Sequence, residues 1–242
     1  MATGTRPQVE YAPYDDRTQT LRYINGYPRS FTRNPIQPLI ERPLTLSELT
    51  GPSEPERLLE TCDGDFAGVT PSGAKAIGQL ISVRGRVTDE EGAPIAGSLI
   101  EIWQANSAGK YIHEWDRHQA PIDPNFTGQG RFLTDREGFY QFHTIKPGGY
   151  PVMESDWWWR PPHIHFSIFG PSWMSRFITQ IFFPGEALNE TDLLLNGVPD
   201  PEARQRLIFE PQATKVDKSG FNMLNFERNF VLRGKNQTPA LG

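Results

Sequence analysis

The chain of 242 residues predicts an all-β fold: one β-sandwich with long loops, a short helix and an extended N-terminal arm. Three observations carry this. From Leu80 onward apolar and polar residues alternate with the period of two that a half-buried strand requires. The phrase Thr88-Asp89-Glu90-Glu91-Gly92 returns as Thr134-Asp135-Arg136-Glu137-Gly138, each time just before a strand-like run. Finally, 22 glycines and 22 prolines punctuate a sequence without a long run of helix formers.

The elements follow in order. Eight prolines fall within the first 60 residues, too closely spaced for a helix of more than about three turns. Residues 1–78 are therefore read as an extended arm and assembly segment. Its aromatics, Tyr11, Tyr14, Tyr23, Tyr27 and Phe31, argue for packing on a body or a partner, since solvated chains carry few. Residues 79–242 form the sandwich. Ile81, Val83 and Val87 alternate with Ser82, Arg84 and Arg86; a turn at Glu91-Gly92-Ala93-Pro94 leads into a strand at Leu99-Ile100-Glu101-Ile102-Trp103. The repeated phrase leads likewise into Phe139-Tyr140-Gln141-Phe142, so two hairpin-like units are expected. Further strands are expected over 164–169, 177–183 and 226–232, and one short helix near Pro201, where Asp200-Pro201 makes a helix start.

Composition excludes several classes. The net charge is −5 and Lys and Arg are scattered, which gives no footprint for nucleic acid. Cys62 is the single cysteine, so neither an intrachain disulfide nor a cysteine-based zinc site can form. No stretch of eighteen apolar residues and no apolar leader is seen, so a cytoplasmic protein without a membrane partner is expected.

The chemistry concentrates at Trp157-Trp158-Trp159-Arg160-Pro161-Pro162-His163-Ile164-His165-Phe166. In a strand, His163 and His165 share one face, and Ile164, Phe166 and Ile168 point the other way, toward a core. Two imidazoles on one face can serve one metal ion, although two polar residues on an exposed face would look the same. A tightly held first-row metal takes three or four donors. His113, His118 and His143 stand at no informative spacing. Better candidates end two glycine-punctuated loops: Tyr111, after Ala105-Asn106-Ser107-Ala108-Gly109-Lys110, and Tyr150, after Ile145-Lys146-Pro147-Gly148-Gly149. Tyrosinate is a hard anion suited to ferric iron, but a tyrosine in a turn is more often a packing residue.

Taken together, PLTLSELTGP from Pro43, VRGRVTDEEGAPI, LIEIWQANSAGKYIHEWDRH, the run APIDPNFTGQGRFLTDREGFYQFHTIKPGGYP, WRPPHIHFSIFGPS and NFVLRG resemble the intradiol ring-cleaving dioxygenases. Within them the resemblance is to the β chains of the protocatechuate-cleaving branch. A lone His-x-His is weak. Joined to Tyr150 thirteen residues before His163, and Tyr111 thirty-nine before Tyr150, the pattern is specific.

The resemblance implies a prealbumin-like sandwich that binds one Fe(III) per chain through Tyr111, Tyr150, His163 and His165, with a hydroxide as fifth ligand. It implies cleavage of protocatechuate by dioxygen to 3-carboxy-cis,cis-muconate, in aromatic catabolism and without an external reductant. Tyr150 takes a substrate proton, Arg160 stabilises negative charge on the attacked ring, and Gln180 helps to position Arg160. Tyr27 matches an arm tyrosine that reaches the substrate carboxylate, with plain packing as its competing reading. An α subunit is implied as partner, in αβ protomers of a larger oligomer.

One residue departs from the family pattern. Two positions after the tyrosine that matches Tyr150, relatives carry a pocket tryptophan where this chain has Val152, which leaves room for another 4-substituted catechol such as 4-sulfocatechol. Two rivals remain. A non-catalytic prealbumin-like binding module shares the glycine-turn repeats but not the four-ligand set. A catechol or hydroxyquinol 1,2-dioxygenase shares the metal chemistry but carries a helical N-terminal domain in place of a proline-rich arm.

Overall fold

A computed structural model describes residues 16–30 apart from 22 and 28, positions 37, 57 and 59, residues 64–66, and residues 75–232 apart from 153, 154, 156, 171–175 and 217–221. The eight arm prolines, Tyr11, Tyr14, Phe31 and Cys62 lie outside the described residues.

The strands are β1 (Leu80–Thr88), β2 (Leu99–Trp103), β3 (Gln129–Leu133), β4 (Phe139–Ile145), β5 (Tyr150–Pro151), β6 (Trp159–Arg160), β7 (His163–Ile168), β8 (Phe177–Phe182), β9 (Glu210–Val216), β10 (Asn222–Glu227) and β11 (Phe230–Val231). Two short helices, α1 (Leu193–Asn196) and α2 (Pro201–Gln205), follow β8. Each has an aspartate N-cap: Asp192 accepts from Leu194 N and Leu195 N, and Asp200 from Glu202 N, which satisfies donors that the first helical turn leaves open.

Two sheets face each other. In the first, β1 pairs antiparallel with β4 and parallel with β10 and then β11, and β9 pairs antiparallel with β10. The second is antiparallel throughout, in the order β3-β2-β7-β8. The alternation has the predicted outcome. Ile81, Val83 and Val87 from one sheet meet Ile100, Ile164, Phe166 and Ile168 from the other, all at 0% exposure. Burial of each such side chain contributes about 1.5–3 kcal/mol, and the layered architecture follows from each sheet having one apolar face to cover.

The repeated phrase is one structural unit used twice. Asp89 Oδ1 accepts from Glu91 N and Ala93 N, and Asp135 Oδ1 accepts from Glu137 N and Phe139 N. Gly92 and Gly138 take φ of 83° and 76°, a conformation that glycine adopts without a Cβ penalty. The expected hairpins are corrected, however. β1 and β2 lie in different sheets, as do β3 and β4, so each turn is an arch that carries the chain across the sandwich. The reason is that β1 already pairs with β4 and β10, and β2 with β3 and β7.

The strand expected over 226–232 is likewise corrected to the end of β10 and the separate β11. Between them Arg228 N donates to Arg84 O and Asn229 Oδ1 accepts from Arg86 N. The Arg228 carbonyl turns inward, accepts from Tyr140 Oη at 2.5 Å, and presses against Gly85, where any Cβ would collide with it. β3 and β9 lack clean alternation and were not expected.

Candidate metal centre

β7 delivers the histidine pair as its alternation requires. With Ile164 and Phe166 in the core, His163 and His165 face the opposite side, and their Nε2 atoms stand 3.3 Å apart. Pro161 does more than set the strand entry: its carbonyl lies 2.7 Å from His163 Nδ1. A carbonyl can only accept, so Nδ1 carries the proton and the Nε2 lone pair faces His165. His165 is held by its neighbour on β2, stacked on Trp103 at 4.7 Å between centroids and 9° between planes.

Two loops supply the phenols, and their glycines explain how. In the loop after β2, Asn106 Oδ1 accepts from Ala108 N and Lys110 N, which winds the chain into a tight turn. In the loop after β4, Gly148 N donates to Asn106 O at 2.9 Å. Backbone packs directly on backbone here. A Cβ on Gly109 would collide with Gly149 O, and one on Gly148 would collide with Ser107 O. This approach sets the Tyr111 and Tyr150 rings edge to face, 5.3 Å apart. Asp116 Oδ2 accepts from Tyr111 N, and Lys110 Nζ donates to the carbonyls of Asp116 and His118, so the chain leaving Tyr111 is also pinned. Tyr150 Oη lies 3.3 Å from His163 Nε2. Tyr111, Tyr150, His163 and His165 are thus brought to one place from three segments.

Arg160 lies against this group through the two-stranded ladder of β5 and β6, in which Tyr150 is opposite Arg160 and Pro151 opposite Trp159. Its Nε donates to Asp192 Oδ2 at 2.7 Å and its Nη2 to Gln180 Oε1 at 2.5 Å. Gln180 is itself opposite His165 across β7 and β8. Trp158 is buried with Arg160 over its ring, and Tyr27 packs on it edge to face at 5.4 Å. Val152 is half-buried, and its N donates to Trp158 O. Trp157 and Trp159 are exposed. Asp192 and Asp116 were not among the expected site residues. Asp192 ahead of Leu193-Leu194-Leu195 fits a helix cap, though no helix was expected there, and nothing local marks its tertiary partner.

Burial governs the protonation of the group. It pushes the Tyr111 phenol well above its ordinary value, reinforced by Tyr150, and raises Tyr150, with the Arg160 charge pulling both back. It lowers His163 well below the ordinary imidazole range and His165 to about 3, with Arg160 adding to both. The folded chain alone therefore holds two neutral phenols and two neutral imidazoles around one point. The Tyr111 hydroxyl is buried without a hydrogen-bond partner among the described residues, which costs about 1–3 kcal/mol unless something binds there. Among the described residues no group of three His, Cys, Asp or Glu could hold a metal, so the phenols are the donors able to complete a set around the histidine pair. The donor set would fit a cation: the histidine lone pairs and the buried phenol oxygen would hold it, and its charge would favour both phenols as anions.

Comparison with known proteins gives the family. The family model described as Dioxygenase matches residues 58–234. The chain is 42% identical over 213 residues to the protocatechuate 3,4-dioxygenase beta chain of Burkholderia cepacia, covering 88% of this chain and 89% of that one. To the catechol 1,2-dioxygenase of Candida albicans it is 35% identical over 131 residues, 47% of this chain and 42% of that one. The solved 3-chlorocatechol 1,2-dioxygenase of Rhodococcus opacus superposes with a TM-score of 0.56 at 24% identity, over 72% of this chain and 66% of that one, a likeness of fold alone. No helix among the described residues is long and apolar enough to cross a membrane. With a family model spanning most of its length and a close relative nearly end to end, the chain belongs to the intradiol ring-cleaving dioxygenases and is an enzyme of that class.

Proposed function

We propose that the chain cleaves protocatechuate between its two hydroxyls with dioxygen, giving 3-carboxy-cis,cis-muconate, at one Fe(III) per chain held by Tyr111, Tyr150, His163 and His165. The observation that carries this is the convergence of two phenols and two imidazoles, with one phenol oxygen buried and unpartnered. Oxygen and imidazole donors suit a first-row metal in a chain whose one cysteine is Cys62, and two phenolate anions favour the ferric over the ferrous state. When bound, the ferric ion supplies a Lewis-acid centre that favours the catechol as its dianion and prepares its ring for dioxygen.

The chain's own residues do the rest. His163, its Nδ1 proton fixed by the Pro161 carbonyl, presents an unprotonated Nε2. With iron bound, Tyr150 Oη beside that nitrogen would stand as the phenolate and accept one of the two catechol protons, the hydroxide that completes the site taking the other. Arg160 places a fixed positive charge where negative charge grows on the ring, and Gln180 helps to hold its fork. Burial of Trp158 and the core-facing side of β7 keeps bulk water from one flank.

Protocatechuate as substrate, and an α chain as partner in αβ protomers of a larger oligomer, are supported by the end-to-end similarity to a protein named as a beta chain. Val152 favours a second reading, in which a bulkier 4-substituent such as sulfonate is accepted. Tyr27, packed on Trp158, is proposed to border that substituent. The experiment is a comparison of kcat/KM for protocatechuate, catechol and 4-sulfocatechol with the iron-loaded enzyme. Protocatechuate is expected to lead. Preference for the sulfonate selects the second reading, and failure to open any of the three rings contradicts both.

A further inference from the structure

We infer that Asp192 is a positioning residue for the ring-opening reaction, setting the guanidinium of Arg160 and tying that setting to the N-terminal segment. The inference rests on the proposed role of Arg160. Asp192 is wholly buried, and its two oxygens do different work. Oδ1 caps α1, accepting from Leu194 N at 3.1 Å and Leu195 N at 2.7 Å, while Oδ2 accepts from Arg160 Nε at 2.7 Å. A helix cap needs only the first oxygen. A buried ion pair is a poor source of stability, because desolvation offsets much of the attraction, so stability alone does not account for the second.

Geometry does account for it. Gln180 holds Nη2 and Asp192 holds Nε. One contact would let the planar fork swing about it; two contacts from different elements fix its plane. Arg160 stands opposite Tyr150 in the β5–β6 ladder, so that plane is set relative to the proposed base.

The helix that carries Asp192 is in turn gripped from outside the sandwich. Leu21 N donates to Gly197 O and Thr20 Oγ1 to Leu194 O, while Asp200 N, at the cap of the following α2, donates to Arg17 O. A Cβ on Gly197 would sit 2.9 Å from Ile24 Cδ1. Arg17, Thr20, Leu21 and Ile24 are therefore linked to the reacting centre through α1, Asp192 and Arg160.

The test is Asp192→Asn in the iron-loaded enzyme. Asparagine keeps a capping oxygen but sets an amide donor against Arg160 Nε–H. A fall in kcat of about 10- to 100-fold is expected, with KM, iron content and visible absorption little changed. In an Arg160→Gln background the same substitution is expected to cause no further loss. If Asp192→Asn does not fold, Asp192→Ser, which caps the helix and withdraws the second acceptor, carries the same expectation. Unchanged kcat, or a loss that persists in full in the Arg160→Gln background, overturns the inference. Unchanged kcat in Arg160→Gln alone overturns the role of Arg160 beneath it, so the two failures are told apart.

Discussion

Tyr150 and Arg160 are paired in register across a ladder only two residues long on each side. The proposed base and the proposed charge stabiliser are thus one local unit, closed by the Val152 N to Trp158 O bond beside it. Proline at 151 has no N–H to give, and the short ladder is completed by its neighbours.

Replacing Arg160 by lysine removes the planar fork and cannot satisfy Asp192 and Gln180 together. The expected outcome is a fall in kcat of about 10²–10³-fold with iron retained. Steady-state kinetics beside metal analysis checks it.

Gly148→Ala tests the backbone approach that brings the tyrosines together. The added Cβ meets Ser107 O, and overpacking of this kind costs about 1–3 kcal/mol. Lower thermal stability and weaker iron retention are both expected, since the two loops can relieve the clash only by parting Tyr111 from Tyr150.

Tyr140→Phe serves as a control at the far side of the core. It removes the donor to the inward-turned Arg228 carbonyl, at a cost of about 1–3 kcal/mol in stability. Denaturant unfolding is expected to show that loss, with kcat unchanged, because Tyr140 packs among Phe132, Phe142 and Phe230 rather than beside the proposed metal ligands.

The metal-free chain should weaken in mild acid. His163 and His165 have folded pKa values below the usual 6.5, His165 at about 3, so the unfolded chain binds more protons below 6.5. Their contribution is fully present above pH 6.5 and is lost as pH falls toward 3. Thermal midpoints measured across that window check the slope.

Much of this was legible in the sequence, for physical reasons that differ by element. The alternation of β1 and of Ile164, Phe166 and Ile168 marks the core face, and these apolar residues are buried as expected, while Ser82, His163 and Ser167 on the opposite faces are buried too. The repeated Asp-x-x-Gly phrase is a local hydrogen-bond unit, so both copies formed it. Whether such a turn makes a hairpin or an arch depends on which strand edges are already paired, and no local signal reports that. β3 and β9, polar and interrupted by Gly130 and Pro211, are strands because their partners are. His163 and His165 announced a shared face, but their completion by Tyr111 and Tyr150 came only with the family resemblance. Gly109 and Gly148 supply the reason the four can meet. Asp192 and Arg160, distant in sequence, meet only through the fold.

Whether Tyr111, Tyr150, His163 and His165 hold ferric iron is read from the visible absorption of the purified enzyme, with metal analysis, before and after anaerobic addition of protocatechuate. One iron per chain is expected, with a tyrosinate-to-iron band that is altered by substrate and partly lost in Tyr111→Phe. A colourless protein without stoichiometric iron would contradict it.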